Sequence, residues 1–259
     1  MSFLESLFSL DKKVSIVTGA AGGNGKSISE ALLRSGSTVI MVDISKKELS
    51  KIVKKFQDEG LPAIEYYCNI TNKSQILKLS KYIKKKFNRL DILINNAGIS
   101  LPKSSLDYSE KLWEKTYNIN LKAPFFLSQE CAKIMKQKKS GIIINITSIN
   151  AEFAFPDNPS YQASKGGLKQ LTKSLALDLA KFGIRVNNVG PGYFHTAMTK
   201  KSWSNIEKRE KIANNTILGK WGEPRDLQGI IIYLSSEASS YVTGQDFYID
   251  GGWSIKGLK

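Results

Sequence analysis

The sequence has few of the residues that build metal sites and disulfide frameworks. Its 259 residues include two cysteines, Cys68 and Cys131, and a single histidine. The cysteines have neither paired nor metal-ligand spacing, so we expect no structural zinc and a reducing, cytoplasmic location. The first residues carry Glu5 and lack both a basic leader and a long apolar core. The sequence therefore predicts no signal peptide and no membrane span.

Acidic residues are also scarce relative to basic ones, and the formal net charge is +15. Such an excess could indicate nucleic-acid binding. The lysines, however, are spread along predicted helices without an arginine–aromatic stripe, which favours a solvated basic surface. A nucleic-acid role would also leave the catalytic-looking residues unexplained. With 41% hydrophobic residues, the chain is long enough to bury a core without disulfides or metals.

Tyr161 and Lys165 lie four residues apart in a predicted helix. Side chains at this spacing share a helical face and could line one wall of a cleft. A free phenol has a pKa of about 10, and a nearby positive charge lowers it toward a useful range. Ser148 ends the β-branched stretch 141–147, a predicted buried strand whose carboxyl end would lie where open α/β sheets bind ligands. The alternative is a surface helix that merely carries Tyr and Lys.

A glycine-rich turn joins the predicted strand Val14–Thr18 to a predicted helix. Glycines at positions 19, 22, 23 and 25 would let the backbone pass close to a pyrophosphate, whose charge is met by free N–H groups at the helix start. Tight turns use glycine in any case, so the flanking strand and helix are what favour a dinucleotide site.

Asp43 ends the second predicted strand, eighteen residues after the last glycine of that turn. A carboxylate there can accept hydrogen bonds from both hydroxyls of an adenosine ribose and repels a 2′-phosphate. No arginine or lysine occupies Ala20, Ala21 or Ile44 to offset this repulsion. We therefore predict NAD rather than NADP. The alternative for Asp43 is a helix cap, for which Ser45 is better suited.

Strands and helices alternate along the rest of the chain, which predicts a parallel sheet. The further predicted strands are 38–42, 63–67, 90–94, 184–189 and 246–249, and the further predicted helices are 46–59, 72–87, 109–137 with a break near Pro124, and 224–236. Residues 193–217 are polar and weakly periodic, and we expect them to form a mobile substrate cap. Without repeats, low-complexity segments or linkers, residues 1–259 are predicted to form one domain.

These motifs closely resemble those of the short-chain dehydrogenase/reductase family from Val14 to Trp253. Two positions depart from its pattern: Asn69 stands where Asp is frequent beside the adenine, and Asn24 where Ile or Leu is usual. An amide at position 69 still donates and accepts hydrogen bonds. The matching positions are the fingerprint Thr18, Gly19, Gly23 and Gly25; the sheet motif Asn95, Asn96, Ala97 and Gly98; the tetrad Asn120, Ser148, Tyr161 and Lys165; and the nicotinamide segment Pro191, Gly192 and Thr196.

The resemblance implies the α/β class, with a single Rossmann-type domain and a seven-stranded parallel sheet flanked by helices on both faces. It also implies a homotetramer that uses NAD and needs no metal, in agreement with the scarcity of cysteine and histidine. The residues it assigns to the cofactor are Gly19, Gly23, Asn24, Gly25, Asp43, Asn69, Ile70, Asn96, Ala97, Gly98, Tyr161, Lys165, Pro191, Gly192 and Thr196.

The resemblance implies a role for each residue of the tetrad. Lys165 holds the nicotinamide ribose and lowers the pKa of Tyr161. Tyr161 takes the proton from an alcohol or delivers it to a ketone, while Ser148 hydrogen-bonds the reacting oxygen. Asn120 helps to hold a water that connects Lys165 to solvent. The hydride moves to or from the nicotinamide ring.

We therefore predict an NAD-dependent oxidoreductase that interconverts a secondary alcohol and a ketone. Residues 191–193, 220–224 and 250–253 resemble those of sugar, polyol and sugar-acid dehydrogenases such as the gluconate enzymes. The alternative is a 3-oxoacyl-carrier-protein reductase, whose acidic carrier would suit the basic surface but whose usual NADPH does not suit Asp43. A binding protein without catalysis is disfavoured by the intact tetrad.

Five other residues near the predicted cleft have two interpretations each. His195 either touches substrate from the cap or has no role in binding and catalysis. Trp203, Trp221 and Trp253 either line an apolar wall or, in the favoured interpretation, pack in the core or between subunits. Glu152 either meets a polar substrate or is a solvated loop residue.

Overall fold

The computed structural model describes residues 2–256, whose seven strands form one parallel sheet of order β3-β2-β1-β4-β5-β6-β7. The predicted fold class is confirmed, and the predicted strand ends differ from the observed ones by at most two residues. The strands are β1 (Val14–Thr18), β2 (Thr38–Asp43), β3 (Ala63–Tyr67), β4 (Ile92–Asn95), β5 (Gly141–Ile146), β6 (Ile184–Pro191) and β7 (Asp246–Ile249).

Helices cover both faces of this sheet. They are α1 (Phe3–Phe8), α2 (Gly23–Arg34), α3 (Lys46–Asp58), α4 (Lys73–Phe87), α5 (Glu110–Tyr117), α6 (Ala123–Met135), α7 (Pro159–Ala180), α8 (Lys200–Ser204), α9 (Ile206–Asn214) and α10 (Gln228–Ser235). Within residues 2–256, none of them has the length and apolar character needed to cross a membrane.

Two apolar cores lie on opposite faces of the sheet, because successive side chains of a strand point to opposite faces. Ile16 and Ile143 join the core formed with α4, α6 and α7. Val17 and Ile144 join the core formed with α2, α3 and α10. A strand covered on both faces must be apolar at almost every position, which accounts for the continuous apolar runs in the sequence.

The strand order reverses beside β1, which pairs with β2 on one side and β4 on the other. Chain connections leave these neighbours in opposite directions, so a crevice opens at their carboxyl ends. The glycine turn follows β1 and the Asn96–Gly98 segment follows β4, so both border this crevice.

The predicted break in the helix before Pro124 is confirmed as a wide turn. Residues Asn118–Lys122 form a π-helical turn between α5 and α6, in which the Ala123 N–H donates to the Asn118 carbonyl. Proline has no N–H to continue the regular ladder, and single π turns are frequent at functional sites. The turn places Asn120 in the interior, where it is fully buried.

A chain of hydrogen-bonded polar side chains runs across the sheet from β4 to β7. Asn95 Nδ2 donates to Asn145 Oδ1 at 2.8 Å, and Asn145 Nδ2 donates to Thr172 Oγ1 at 2.7 Å. The Thr172 hydroxyl donates to Asn188 Oδ1 at 2.6 Å, and Asn188 Nδ2 donates to Asp246 Oδ1 at 2.7 Å. Because each link has its partner, the network fixes β4 to β7 against one another and against α7.

Replacement of Asn145 by alanine should therefore strongly destabilise the fold. It leaves polar atoms of Asn95 and Thr172 without their buried partner and opens a small cavity, so we expect the free energy of unfolding to fall by about 2–4 kcal/mol. Urea denaturation measures this change. The control is Asn214→Ala on the exposed end of α9, expected to cost less than about 0.5 kcal/mol. Equal effects of the two substitutions would contradict a structural role for the chain.

Candidate active site

The glycine turn brings the start of α2 against the end of β1. A Cβ atom at position 25 would lie 2.0 Å from the Gly19 carbonyl oxygen, so only glycine fits this close approach. Gly19 and Gly23 have φ angles of +64° and +51°, in the left-handed region that favours glycine. At Gly22, by contrast, no described atom lies within 4 Å of a built Cβ. The turn is thus tight on its inner side and open on its outer side.

Asn96 and Ala97 join the segment after β4 to the end of β1. Asn96 Nδ2 donates to the carbonyl oxygens of Thr18, at 2.9 Å, and Gly19, at 3.2 Å. The backbone N–H groups of Asn96 and Ala97 both donate to Thr18 Oγ1, at 3.0 and 3.1 Å. These bonds hold the floor of the crevice rigid beneath the glycine turn.

Asp43 lies at the carboxyl end of β2 beside the glycine turn. One carboxylate oxygen accepts the Ala21 N–H and the other the Ser45 N–H, each at 2.9 Å. A carboxylate oxygen can accept more than one hydrogen bond, so acceptor capacity remains. Ser45 is the N-cap residue of α3, but its side chain makes no capping bond. The structure thus confirms Ser45 rather than Asp43 as the N-cap position, although the hydrogen bond to a backbone N–H at the helix start comes from Asp43, which accepts the Ser45 N–H.

Asn69 and Ile70 follow the neighbouring strand β3. Asn69 Oδ1 accepts hydrogen bonds from the backbone N–H and the hydroxyl of Thr71, at 3.0 and 2.8 Å. The Ile70 side chain packs into the core with α4. A cofactor contact from Ile70 would therefore have to come from its backbone.

Asn24 is the residue at which the glycine turn departs from the family pattern. Its Oδ1 atom is buried and has no hydrogen-bond partner within residues 2–256. A buried acceptor without a donor is costly, and a donor group in the crevice would relieve that cost. The open glycine turn, the remaining acceptor capacity of Asp43 and this unpaired oxygen together fit a dinucleotide.

Helix α7 carries Tyr161 and Lys165 at the carboxyl end of β5. Lys165 as a whole is 4% exposed, and its ammonium donates to the Ile146 carbonyl oxygen at 2.6 Å. It also lies over the ring of Tyr161, 5.8 Å from the ring centroid. The predicted pairing of phenol and ammonium on one helical face is therefore present in the structure.

Asn120 approaches the same place from the π-helical turn. Its amide donates to the Ile99 carbonyl at 2.9 Å and to Ser164 Oγ at 3.1 Å, while Oδ1 accepts the Ile99 N–H at 2.9 Å. A Cβ built at Gly98 would lie 3.3 Å from Asn120 Oδ1 and 3.6 Å from Lys165 Nζ. The amide and the ammonium thus border one small space that glycine leaves open.

Ser148 follows β5 in an extended conformation and begins a 3-10 turn. Its Oγ atom accepts the Asn150 N–H at 3.2 Å, and the residue is 7% exposed. Desolvation of the partly buried Tyr161 phenol raises its pKa, and the Ser148 hydroxyl, which favours the ionised phenol, only partly offsets this. Burial lowers the pKa of Lys165 to about 8.

The pKa of Tyr161 is raised overall, whereas the sequence predicted that Lys165 would lower it. The reason is that the same burial acts on both groups. It disfavours the charged phenolate directly, and a lysine with a pKa of about 8 carries only part of its positive charge near pH 8. In the protein by itself, desolvation therefore outweighs the opposing effect of the Ser148 hydrogen bond on the Tyr161 pKa.

The predicted nicotinamide segment faces the glycine turn. A Cβ at Gly23 would lie 3.5 Å from the Thr196 side chain. The Gly192 N–H donates to the Ile249 carbonyl at 3.0 Å, which ties the Pro191–Gly192 corner to β7. A cavity of about 410 Å³ lies between Gly23 and residues 195–204.

The predicted cap contains the two helices α8 and α9, and Trp203 of α8 contacts both Arg209 of α9 and His195. His195 stacks on Trp203 with ring centroids 4.0 Å apart and planes 18° apart. The Arg209 guanidinium lies 5.4 Å from the Trp203 ring. His195 Nδ1 is 3.8 Å from Glu223 Oε1. A substrate contact by His195 stays a prediction.

The other tryptophans differ from one another. Trp221 is 6% exposed and its Nε1 donates to the Arg209 carbonyl at 2.9 Å, as expected for a packing residue. Trp253 is partly buried and lies 5.1 Å from Phe155 and 6.5 Å from Tyr193, centroid to centroid. An apolar wall with Trp253 was one predicted alternative, but its partners Phe155 and Tyr193 were not predicted, and their only signal in the sequence is the occurrence of aromatic residues in otherwise polar loops.

Glu152 is an exposed loop residue that is paired with two other side chains. It forms an ion pair with Lys169 and accepts a hydrogen bond from the Tyr248 hydroxyl at 2.8 Å. Neither partner is apparent from the sequence, because Tyr248 lies 96 residues further along the chain.

Comparison with known proteins gives consistent matches along almost the whole chain. Residues 19–254 match the family described as Enoyl-(Acyl carrier protein) reductase. The 3-oxoacyl-(acyl-carrier-protein) reductase FabG of Thermotoga maritima is 38% identical over 95% of this chain and 99% of its own. The gluconate 5-dehydrogenase of Gluconobacter oxydans is 35% identical over 96% and 97%. The crystal structure of a gluconate 5-dehydrogenase from Burkholderia cenocepacia J2315 in complex with NADP and tartrate has a TM-score of 0.95, with 29% identity over 98% and 100%.

The close approach at Gly25 generates a test of the crevice. In Gly25→Ala the new methyl group collides with the Gly19 carbonyl, so the turn must open, and we expect NADH to bind at least about tenfold more weakly by fluorescence titration. The control is Gly229→Ala in α10, where no described atom lies within 4 Å of the new Cβ. It should bind NADH like the parent and gain up to about 1 kcal/mol of stability. A folded Gly25→Ala variant with parental NADH affinity would contradict the proposed cofactor position.

Proposed function

The chain belongs to the short-chain dehydrogenase/reductase family, and from that membership we propose an NAD-dependent oxidoreductase that interconverts a secondary alcohol and a ketone. The observation that carries this proposal is the convergence of Tyr161 and Lys165 at the carboxyl end of β5, next to the crevice of β1 and β4. The proposed substrate is a sugar acid, sugar or polyol.

The proposed cofactor position follows the open side of the glycine turn. Asp43 would accept the ribose hydroxyls at the end of β2, and Lys165 would hold the second ribose. Residues Pro191, Gly192 and Thr196 would hold the carboxamide end. The bound nicotinamide supplies the chemistry that the side chains lack, since it takes or gives the hydride of the carbinol carbon.

Tyr161 is the proposed acid and base of the reaction. Its raised pKa keeps the phenol protonated at neutral pH, which suits proton delivery to a ketone oxygen. Alcohol oxidation needs the ionised phenol instead, so it should become faster as the pH rises. Ser148 would hydrogen-bond the same substrate oxygen. Lys165 and Asn120, which border one space beside Gly98, would pass the proton on through a water.

The proposed preference for NAD rests on the charge of Asp43. A unit charge 4 Å from a second like charge costs about 1 kcal/mol in water and about 4 kcal/mol near a protein surface. No cationic side chain stands at Ala20, Ala21 or Ile44 to compensate a 2′-phosphate. The Burkholderia relative was crystallised with NADP, so residue 43 is the position at which this preference can be tested.

Asp43→Asn keeps an acceptor for the Ala21 N–H and removes the charge. We expect the ratio of NADP to NAD affinity to rise by about tenfold to hundredfold, chiefly through tighter NADP binding. Titration of both nucleotides measures the ratio. Asp58→Asn, at an exposed position paired with Lys54, is the matched control and should leave it unchanged. An unaltered ratio in Asp43→Asn would show that this carboxylate does not select the cofactor.

Two substrate classes compete for this site. Similarity to the gluconate dehydrogenases supports a sugar acid or polyol, as does the resemblance noted in the sequence at residues 191–193, 220–224 and 250–253. The 38% identity to the Thermotoga reductase and the net charge of +15 support an acyl thioester on an acidic carrier protein. Asp43 favours the first class, because the carrier-protein reductases normally use NADPH.

A substrate panel separates these possibilities. The protein is mixed with NAD and with NADP over polyols and sugar acids, and with NADH and NADPH over acetoacetyl thioesters, while the absorbance of reduced nicotinamide is followed. We expect NAD-dependent turnover of a sugar acid or polyol. Strong NADPH preference with acetoacetyl thioesters would establish the alternative class. Tight NADH binding without any turnover would instead favour a nucleotide-binding protein.

Tyr161→Phe tests the catalytic assignment on the substrate so identified. Loss of the phenol proton should lower kcat by about 10²–10⁴-fold, while NADH binds with parental affinity. In the parent, the raised pKa of Tyr161 predicts that the rate of alcohol oxidation climbs from neutral toward alkaline pH. Tyr117→Phe, at a partly exposed position of α5, is the control and should behave like the parent. A Tyr161→Phe variant with more than a tenth of parental activity would rule out this role.

A further inference from the structure

Tyr248 of β7 extends across the neighbouring strand β6 toward the end of β5. Gly190 is its register partner on β6, and a Cβ at position 190 would lie 2.6 Å from the Tyr248 ring. The ring therefore packs directly on the glycine backbone. From there the hydroxyl donates to Glu152 Oε1 at 2.8 Å, in the loop that follows β5. Glycine at position 190 is what allows a β7 side chain to reach this loop.

Glu152 receives a second donor from α7. The Lys169 ammonium pairs with the same Oε1 atom and also lies 3.7 Å from Asp246 Oδ2. Asp246 in turn is the last member of the polar chain that starts at Asn95, through its bond with Asn188. Glu152 is thus held by a strand and a helix that are themselves fixed to the core.

A short hydrogen-bonded turn connects Glu152 to Ser148. The Ala151 N–H donates to the Ser148 carbonyl at 3.0 Å, and the Glu152 N–H donates to the Ile149 carbonyl at 3.1 Å. The Asn150 N–H donates to Ser148 Oγ itself at 3.2 Å. The backbone of Glu152 is thus connected to the Ser148 hydroxyl through one short hydrogen-bonded turn.

We propose that Tyr248 is a positioning residue of the active site: its hydrogen bond to Glu152 fixes the turn that carries Ser148 and so holds the Ser148 hydroxyl against the reacting oxygen. The catalytic part of this proposal, that Tyr248 affects turnover, rests on the proposed function. The mechanical part, that Tyr248 holds the turn at Ser148 in place, does not. Misplacement of a reacting group by 1 Å can cost about 10²-fold in rate, so such an anchor affects turnover without touching substrate.

The chemistry of the phenol suits a permanent anchor. Burial, and next the nearby Asp246, raise the pKa of Tyr248 to about 12. Its hydroxyl consequently remains protonated, and able to donate to Glu152, throughout the range in which an enzyme of this kind is assayed.

Hydrogen exchange tests the mechanical part without any substrate. Tyr248→Phe keeps the ring on Gly190 and removes only the hydroxyl. We expect amides 149–153 to exchange about tenfold faster, with no change in the strands. Tyr241→Phe, a fully exposed residue nearby in the sequence, is the matched control and should exchange like the parent. Parental exchange rates for amides 149–153 in Tyr248→Phe would overturn the proposal, whatever the substrate is.

Kinetics on the substrate found by the panel test the catalytic part. Tyr248→Phe should lower kcat about tenfold and leave KM and the NADH affinity within twofold of the parent. Glu152→Ala should have a similar effect, and the double variant should be no slower than Glu152→Ala, since both act through one contact. A parental kcat in Tyr248→Phe, or effects that multiply to about a hundredfold, would overturn the proposed positioning. If the parent itself turns over no substrate, the proposed function fails and the exchange experiment alone decides whether the anchor exists.

Discussion

The buried ammonium of Lys165 is the constraint on which the site depends. Lys165 is a buried residue, and a buried charge needs compensating partners. The structure supplies the Ile146 carbonyl at the end of β5 and the face of the Tyr161 ring. Its lowered pKa indicates that these partners compensate only part of the desolvation. A bound ribose, with hydroxyl acceptors, would complete the set. In the proposed function, the cofactor and the acid–base chemistry would therefore be coupled through one side chain.

The surrounding sheet also contains buried polar groups that need hydrogen-bond partners. Polar side chains placed inside an apolar sheet must be paired, and the amides from Asn95 to Asn188 pair from strand to strand until they reach Asp246 at the edge. Asn120 satisfies both sides of its amide from a turn that proline widens. Rigidity at the carboxyl ends of the strands thus comes from hydrogen bonds that run across the chain direction. The apolar cores on the two faces could not supply this precision, because hydrophobic contacts are not directional.

Local patterns accounted for most of what the sequence predicted correctly. Strand identity follows from apolar runs, the glycine turn from its spacing, and the shared face of Tyr161 and Lys165 from helical geometry. The predictions that were wrong or incomplete involve partner residues that are distant in sequence, or pKa shifts that depend on burial. The upward shift of the Tyr161 pKa reflects its desolvation, and the attachment of Glu152 depends on Tyr248. Neither of these can be obtained from spacing.

The contact between Gly190 and Tyr248 also limits how this chain can diverge. The aromatic ring occupies the volume that any side chain at position 190 would need, so the two positions must change together. A relative with a larger residue at the first must have a smaller one at the second, and it would have to secure the loop after β5 by other means. An exchange of side-chain volume between β6 and the edge strand β7 would then accompany divergence in the architecture of the substrate pocket.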